Sequence, residues 1–401
     1  DKIAQSLQKL FISMQINDHG VCSTNDLTNS FGWSQMELIT EHDVQEFIRT
    51  LISNLEKKLI GTELEGEIAK IFRGRSCTVV SAPQVKYESV KNEFFYDLPL
   101  VVRGSANLEE SLTNFLKPEE LSGNNMYVID GIGPQEAEMH TEFIEFPSVL
   151  QIHLKRFEFD FQSQMEYKIN DRFEFPSSID LSMFLNSNND DKHSENIYDL
   201  CCILVHEGFA QLGHYYAFLR EILSSEKIDD VKKNWKFNDD LNNWFKFNDA
   251  FVTKSSYSEA VVNNYGGFYT NDSNNNNNQT MFADKIFSAY MIVYVRRDKV
   301  VEIMKPISDD EIPQNLKDFT KQLKENNTNN LYSKSSPIHG RPRIIDNWDR
   351  FGDFNYGKKE EEKLEDASFM LEESYFANFM KDFYELKLKE KKFTTKISNK
   401  S

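Results

Sequence analysis

Cysteine is scarce in this sequence. Cys22, Cys77, Cys201 and Cys202 are the only four in 401 residues. That is too few for a disulfide framework, and no C-x-x-C pair exists, which argues against a zinc ribbon. A reducing compartment, cytoplasm or nucleus, is the expected home. No apolar run reaches the length of about 18 residues that a membrane helix needs. The opening Asp1-Lys2-Ile3-Ala4-Gln5 has neither the basic nor the apolar region of a signal peptide. Basic residues are in deficit: 46 Lys and Arg stand against 64 Asp and Glu, for a net charge of -18. A surface of that sign repels nucleic acid and anionic membrane and favours basic partners. The chain does not begin with Met, which suggests a fragment or trimmed piece.

Apolar material is plentiful. Hydrophobic residues make up 39% and aromatics 13%, including 32 Phe. That is enough to bury the core of one large domain or two ordinary ones, and it is not a disordered composition. Residues 1–60 read as helical. Leu7, Leu10, Phe11 and Met14 recur at helical spacing, as do Val44, Phe47, Ile48, Leu51, Ile52 and Leu55. Asp43 and Glu46 then share the polar side of the second helix, where the plain expectation is a solvated, dipole-favoured N-terminus.

Strand signals begin near residue 68: Ile71–Gly74, Cys77–Val80, Phe94–Leu100, Phe146–Phe157 and Lys168–Phe175, with a helix at Asn107–Phe115. Asp199–His206 and Gly213–Leu219 read as an antiparallel pair with Trp244–Asn248 beside them. Ala289–Val295 is the last strong strand. Asn186–Asp191 and the Asn-rich 271–280 read as loops. Beyond residue 300, Ser308–Glu311 looks like a capping box with Pro313 in the first turn of a helix. Residues 326–357 read as a linker. Within the charged segment 358–401, Phe369, Phe376, Phe379, Met380, Phe383 and Leu386 give an amphipathic helix, 358–391, that docks on its own domain or on a partner.

The chemistry concentrates in Gly213-His214-Tyr215-Tyr216 and Trp244-Phe245-Lys246-Phe247-Asn248-Asp249. An imidazole on one strand, oriented by an amide or carboxylate on a neighbouring strand, is two thirds of a cysteine-protease triad. Trp235-Lys236-Phe237-Asn238-Asp239 repeats the second pattern, so Asn238 competes with Asn248 for the orienting position. The residue pattern alone leaves both open, although Asn264-Tyr265-Gly266-Gly267 follows the second run.

These pieces, with Ser30-Phe31-Gly32-Trp33, His42 through Phe47, Phe72-Arg73-Gly74, Leu150 through Phe157, Lys168 through Pro176 and Ala289-Tyr290-Met291, run in one order over residues 1–298. Together they resemble the catalytic domain of the ubiquitin-specific proteases, and most nearly the herpesvirus-associated branch. The resemblance implies an α+β, papain-like right hand of thumb, palm and fingers, with a helical C-terminal extension (299–325, then linker and helix). It implies ubiquitin and ubiquitinated proteins as partners, and no cofactor. His214 would be general base and acid, Asn248 its orienting group in preference to Asn238, because Asn264-Tyr265-Gly266-Gly267 follows it at the family's spacing, and Asp249 a second acidic residue near the water or oxyanion. Asp43, Glu46, Phe157, His206 and Tyr215 would line the channel for ubiquitin's arginine-rich tail; His206 reads equally well as a core histidine.

Two parts of the pattern are missing. The family's nucleophile box, Asn-x-Gly-x-Thr-Cys-Tyr, has no counterpart, and all four cysteines read as structural. The expected function is therefore a deubiquitinating cysteine hydrolase whose nucleophile lies upstream of this segment, the segment being inactive alone. The alternative is a non-catalytic ubiquitin-binding pseudoenzyme or interaction scaffold. The family's four finger zinc positions fall at Ala82, Val85, Ile129 and Ile132, so packing must hold the fingers. Leu212 stands where a small residue often precedes Gly213, which would narrow the cleft by the histidine.

Overall fold

The computed structural model describes residues 2–16, 22–31, 43–186, 196–210, 212–229, 232–249, 251–270, 282–305 and 312–322. The capping box at 308–311, the loop at 271–280, most of the loop at 186–191, the linker 326–357 and the helix at 358–391 lie outside them. The chain forms two units, one of residues 1–27 and 43–345, the other of 28–42 and 346–401. Of the second, only residues 28–31 are described, the end of a short helix and the turn after it. The account below concerns the first unit.

The centre of that unit is a large sheet. Its order is Phe251–Ser255, Trp244–Asn248, Leu212–Arg220, Ile197–Phe209, Phe287–Arg296, Val149–Lys155 and Leu98–Val101, with Ser178–Asp180 also pairing on Ile197–Phe209. Every pair is antiparallel except the edge pair of Leu98–Val101 with Val149–Lys155. Phe287–Arg296 runs almost wholly buried through the middle, as expected of a strand covered on both faces. Ile203, Val205, Tyr216, Phe218, Trp244 and Ile292 build the core beneath it.

A second sheet, Tyr87–Phe95, Gly74–Ala82, Ala137–Glu145 and Glu119–Leu121, extends from the first as the fingers. Val80, Ala82, Leu121, Ile129 and Ala137 form its own apolar cluster, with Val85, Tyr87, Tyr127 and Met139 against it. Three of the four expected zinc positions thus belong to a hydrophobic contact, while Ile132 is exposed. Among the described residues, no group of three or more His, Cys, Asp or Glu could hold a metal ion.

Two long helices, Lys2–Ile16 and Val44–Leu59, make the thumb. Asp43 is the N-cap of the second, its Oδ1 accepting from the Gln45 and Glu46 amides at 2.7 and 3.3 Å. Arg49 ties this helix to Asp97, just before the parallel edge strand, by bonds of 2.6 and 2.9 Å. Ile12 of the first helix packs with Ile312 and Leu316, and Lys9 Nζ lies 5.0 Å over the Phe319 ring. The segment after residue 311 therefore rests on the thumb. No helix among the described residues is long and apolar enough to cross a membrane.

Two expectations fail. Ile71 and Phe72 belong to a helix, Glu67–Phe72, and the strand starts at Gly74. Gly66 opens that helix at φ +83, and Ala69 is its buried residue. Lys168–Phe175 is not a strand either. A short strand, Met165–Lys168, ends where it was expected to start. Phe173 and Phe175 are buried as the alternation suggested. Among the described residues, their segment pairs only through an isolated parallel bridge of Glu174 with Asn107: the Ile169 amide bonds to Arg156 O, that of Phe173 to Tyr265 O, and that of Glu174 to Ala106 O.

Candidate active site

Strands Ile197–Phe209 and Leu212–Arg220 form a hairpin whose register sets Glu207 opposite His214 and His206 opposite Tyr215. Because side chains alternate, His214 and Tyr216 share one face while Gly213, Tyr215 and His206 share the other. Gly208 lies at φ +121 at the hairpin's end, a conformation that favours glycine. Gly213 is glycine for a different reason. A Cβ there would stand 2.0 Å from His206 Nε2 and 2.9 Å from Glu207 O.

The neighbouring strand Trp244–Asn248 brings its last residue to the imidazole: His214 Nε2 and Asn248 Oδ1 are 2.6 Å apart. Asp249 follows at φ +52, and its Oδ2 lies 3.9 Å from the same nitrogen. An amide oxygen can only accept, so Nε2 carries the proton and donates, leaving the Nδ1 lone pair as the basic site. His214 is 45% exposed and Asp249 57%, so an open face of the ring remains for a reacting group. Asn238 is committed elsewhere. Its amide N–H bonds to Ile222 O at 2.9 Å, its Nδ2 to Glu221 O at 3.1 Å, and its Oδ1 accepts from the Asp240 amide at 3.0 Å.

The other face of the hairpin carries an aromatic cluster. The His206 ring lies 5.0 Å from Phe157 and 4.9 Å from Tyr215, and Tyr290 is 5.4 Å from Phe157 and 5.5 Å from Tyr215. His153 meets Tyr290 at 4.8 Å. Burial, reinforced by the Lys168 ammonium, pushes the His206 pKa down to about 4, so the ring is neutral near pH 7. Burial lowers that of His153 as well. The Tyr290 hydroxyl donates to Asp43 Oδ2, and burial followed by that carboxylate keeps the phenol protonated.

This arrangement separates the two carboxylates that the sequence set side by side. Asp43 has both oxygens engaged, one by the helix N-terminus and one by Tyr290. Glu46, a turn further on, is exposed. Tyr290, His153, Arg49 and Asp97 had no assigned role. Tyr290 stands in Ala289-Tyr290-Met291, but nothing local to that stretch shows that its hydroxyl reaches residue 43.

Three of the described thiols, Cys77, Cys201 and Cys202, are poor nucleophiles. Burial raises the pKa of Cys201, takes Cys202 up to about 12, and raises that of Cys77, whose Sγ lies 3.7 Å from Glu142 Oε2. Cys22, in a loop before the short helix of the thumb region, is partly exposed.

The family model "Ubiquitin carboxyl-terminal hydrolase" matches residues 1–294. The chain belongs to the ubiquitin carboxyl-terminal hydrolase family. Its α+β architecture is the papain-like right hand of the ubiquitin-specific branch of that family, with the elements above as thumb, palm and fingers. It is 35% identical over 389 residues to "Ubiquitin carboxyl-terminal hydrolase 5" of Schizosaccharomyces pombe, covering 95% of this chain and 33% of the relative. It is 38% identical over 329 residues to "Ubiquitin C-terminal hydrolase 13" of Arabidopsis thaliana, covering 80% and 28%. It is 36% identical over 317 residues to "Ubiquitin carboxyl-terminal hydrolase 7" of Drosophila melanogaster, covering 78% and 25%. The chain thus spans between a quarter and a third of the length of these relatives.

Proposed function

We propose that this segment is the base-bearing part of a deubiquitinating cysteine hydrolase, cleaving the peptide or isopeptide bond after ubiquitin's C-terminal glycine. The observation that carries the reading is the 2.6 Å contact between His214 Nε2 and Asn248 Oδ1 on adjacent strands. A cysteine upstream of residue 1 supplies the nucleophile. His214 takes the thiol proton at Nδ1, the thiolate attacks the carbonyl carbon, and the imidazolium returns the proton to the departing amine. Water then releases the acyl group by the same proton path. Asn248 fixes the tautomer and ring plane throughout, and Asp249 adds negative charge beside the imidazolium.

The aromatic cluster of Phe157, His206, Tyr215 and Tyr290 forms one wall of the tail channel. A neutral His206 suits that place, because it adds no positive charge against an arginine-rich tail. Glu46 is the carboxylate offered to a tail arginine, whereas Asp43 acts as cap and as acceptor for Tyr290. Within the family, the motifs over residues 1–298 favour the herpesvirus-associated branch. The reducing interior of cytoplasm or nucleus suits a thiol enzyme. One observation favours a second reading: Cys77, Cys201 and Cys202 are buried thiols with raised pKa values, which suits a ubiquitin-binding module without catalysis. Turnover of a ubiquitin C-terminal fluorogenic amide by the full-length protein decides between them. Activity lost in His214→Ala supports the hydrolase; tight ubiquitin binding without turnover supports the module.

A further inference from the structure

Lys168 ends the hairpin formed by Phe157–Asp160 and Met165–Lys168 and is half-buried. Its ammonium forms no described ion pair. Nζ instead donates to two backbone carbonyls, His206 O at 2.7 Å and Ile286 O at 2.8 Å. His206 lies on the strand preceding His214, directly opposite Tyr215. Ile286 immediately precedes the central strand Phe287–Arg296, and its carbonyl also accepts the Gly208 amide at 2.9 Å. One ammonium therefore joins three pieces of chain at the end of the sheet where His214 sits. The aromatic contact between Phe157 and His206, 5.0 Å, links the same hairpin to the same strand. The position is electrostatically costly. Burial, with Arg156 nearby, draws the Lys168 pKa down to about 7, and Glu207 only partly opposes this. An apolar side chain of that length would avoid the cost, so the site is not optimised for stability alone.

We propose that Lys168 is a positioning residue: by clasping the His206 and Ile286 carbonyls it holds the paired Gly208 and Gly213 of the hairpin, and with them His214, in register with Asn248. It also couples the Phe157–Lys168 hairpin, whose Phe159, Phe161 and Met165 are exposed, to the placement of the base. The proposal rests on the reading of His214 as the general base. It assigns to Lys168 a contribution to turnover with little contribution to substrate affinity.

The test uses the full-length protein and two variants. Lys168→Met keeps length and packing but removes the donors; Lys168→Arg keeps charge and donors. The expected result is a kcat about tenfold or more lower in Lys168→Met with KM within about threefold, since small misplacement of a catalytic group is costly. Its thermal midpoint should fall by no more than a few degrees, relief of the buried charge offsetting part of the lost hydrogen bonds; the Gly208 amide should exchange faster with solvent, and Lys168→Arg should recover part of the lost kcat. Unchanged kcat in Lys168→Met would overturn the proposal. Equal losses in both variants, each tracking a lowered thermal midpoint, would mean a packing role and would also overturn it. If the wild-type protein shows no turnover, the reading of His214 fails, and Gly208 exchange then tests the clasp alone. Unaltered exchange would overturn it.

Discussion

Adding one methyl group beside the base should disturb this site more than its size suggests. In Gly213→Ala the new Cβ would lie 2.0 Å from His206 Nε2, 2.6 Å from its Cε1 and 2.9 Å from Glu207 O. Ordinary contact begins near 3.4 Å, so the ring or the strand has to yield by about 1.4 Å. The ring has little freedom. His206 is 3% exposed, and Phe157 and Tyr215 lie against it at 5.0 and 4.9 Å. Overpacking of this kind costs about 1–3 kcal/mol. In a unit of this size that lowers the thermal midpoint by several degrees. If the strand moves instead, the 2.6 Å contact of His214 with Asn248 opens, and kcat falls about 100-fold. The assay is thermal unfolding together with turnover of a ubiquitin C-terminal amide. The double variant Gly213→Ala/His206→Ala separates the causes. Removing the ring should restore room, giving a coupling energy of about 1 kcal/mol or more. A single variant that melts and turns over like wild type, with no coupling in the double variant, would refute the steric argument.

Further consequences follow from other contacts. Asn248→Ala should lower kcat about 100-fold or more with KM nearly unchanged, whereas Asn248→Asp should keep most of the rate; steady-state kinetics distinguish them. Arg156 is fully buried and donates to Ala289 O, Ile169 O, Asp171 O and Tyr265 O at 2.7–3.2 Å. Arg156→Met removes all four bonds, leaving Tyr265 O only the Phe173 amide, and should destabilise by about 3 kcal/mol or more, read by denaturant unfolding. His206 has a folded pKa of about 4, below its value in the unfolded chain, so on acidification the unfolded state takes up a proton that the folded state refuses. Stability should therefore fall as the pH drops from about 6.5 toward 4. In a comparison of thermal midpoints across that range, His206→Phe should show a shallower slope.

Local signals carried most of the architecture. The stripe from Val44 to Leu55 gave the second thumb helix, and the alternation around Gly213 gave the hairpin that presents His214. Asn248 could be preferred to Asn238 only by order and spacing; the distances show why, since Asn238 closes a turn. The two failures have different causes. At Lys168–Phe175 the apolar period was real, but the amides bond to Arg156, Tyr265 and Ala106, residues distant in sequence. Ile71 and Phe72 read as strand because two apolar neighbours fit either period, and the Gly66 turn that starts the helix leaves no pattern. Tyr290, Lys168 and Arg156 act through partners from 13 to 247 residues away, beyond any local pattern. The shared role of Asp43 and Glu46 divided for the same reason, because only the fold brings Tyr290 to Asp43.

The most direct test of the account is covalent labelling of the full-length protein with a ubiquitin bearing a C-terminal electrophile, followed by mapping of the modified cysteine. The account predicts one labelled cysteine, upstream of the segment described here, with labelling abolished in His214→Ala and strongly slowed in Asn248→Ala. Labelling of Cys22, Cys77, Cys201 or Cys202, or labelling indifferent to His214, would contradict it.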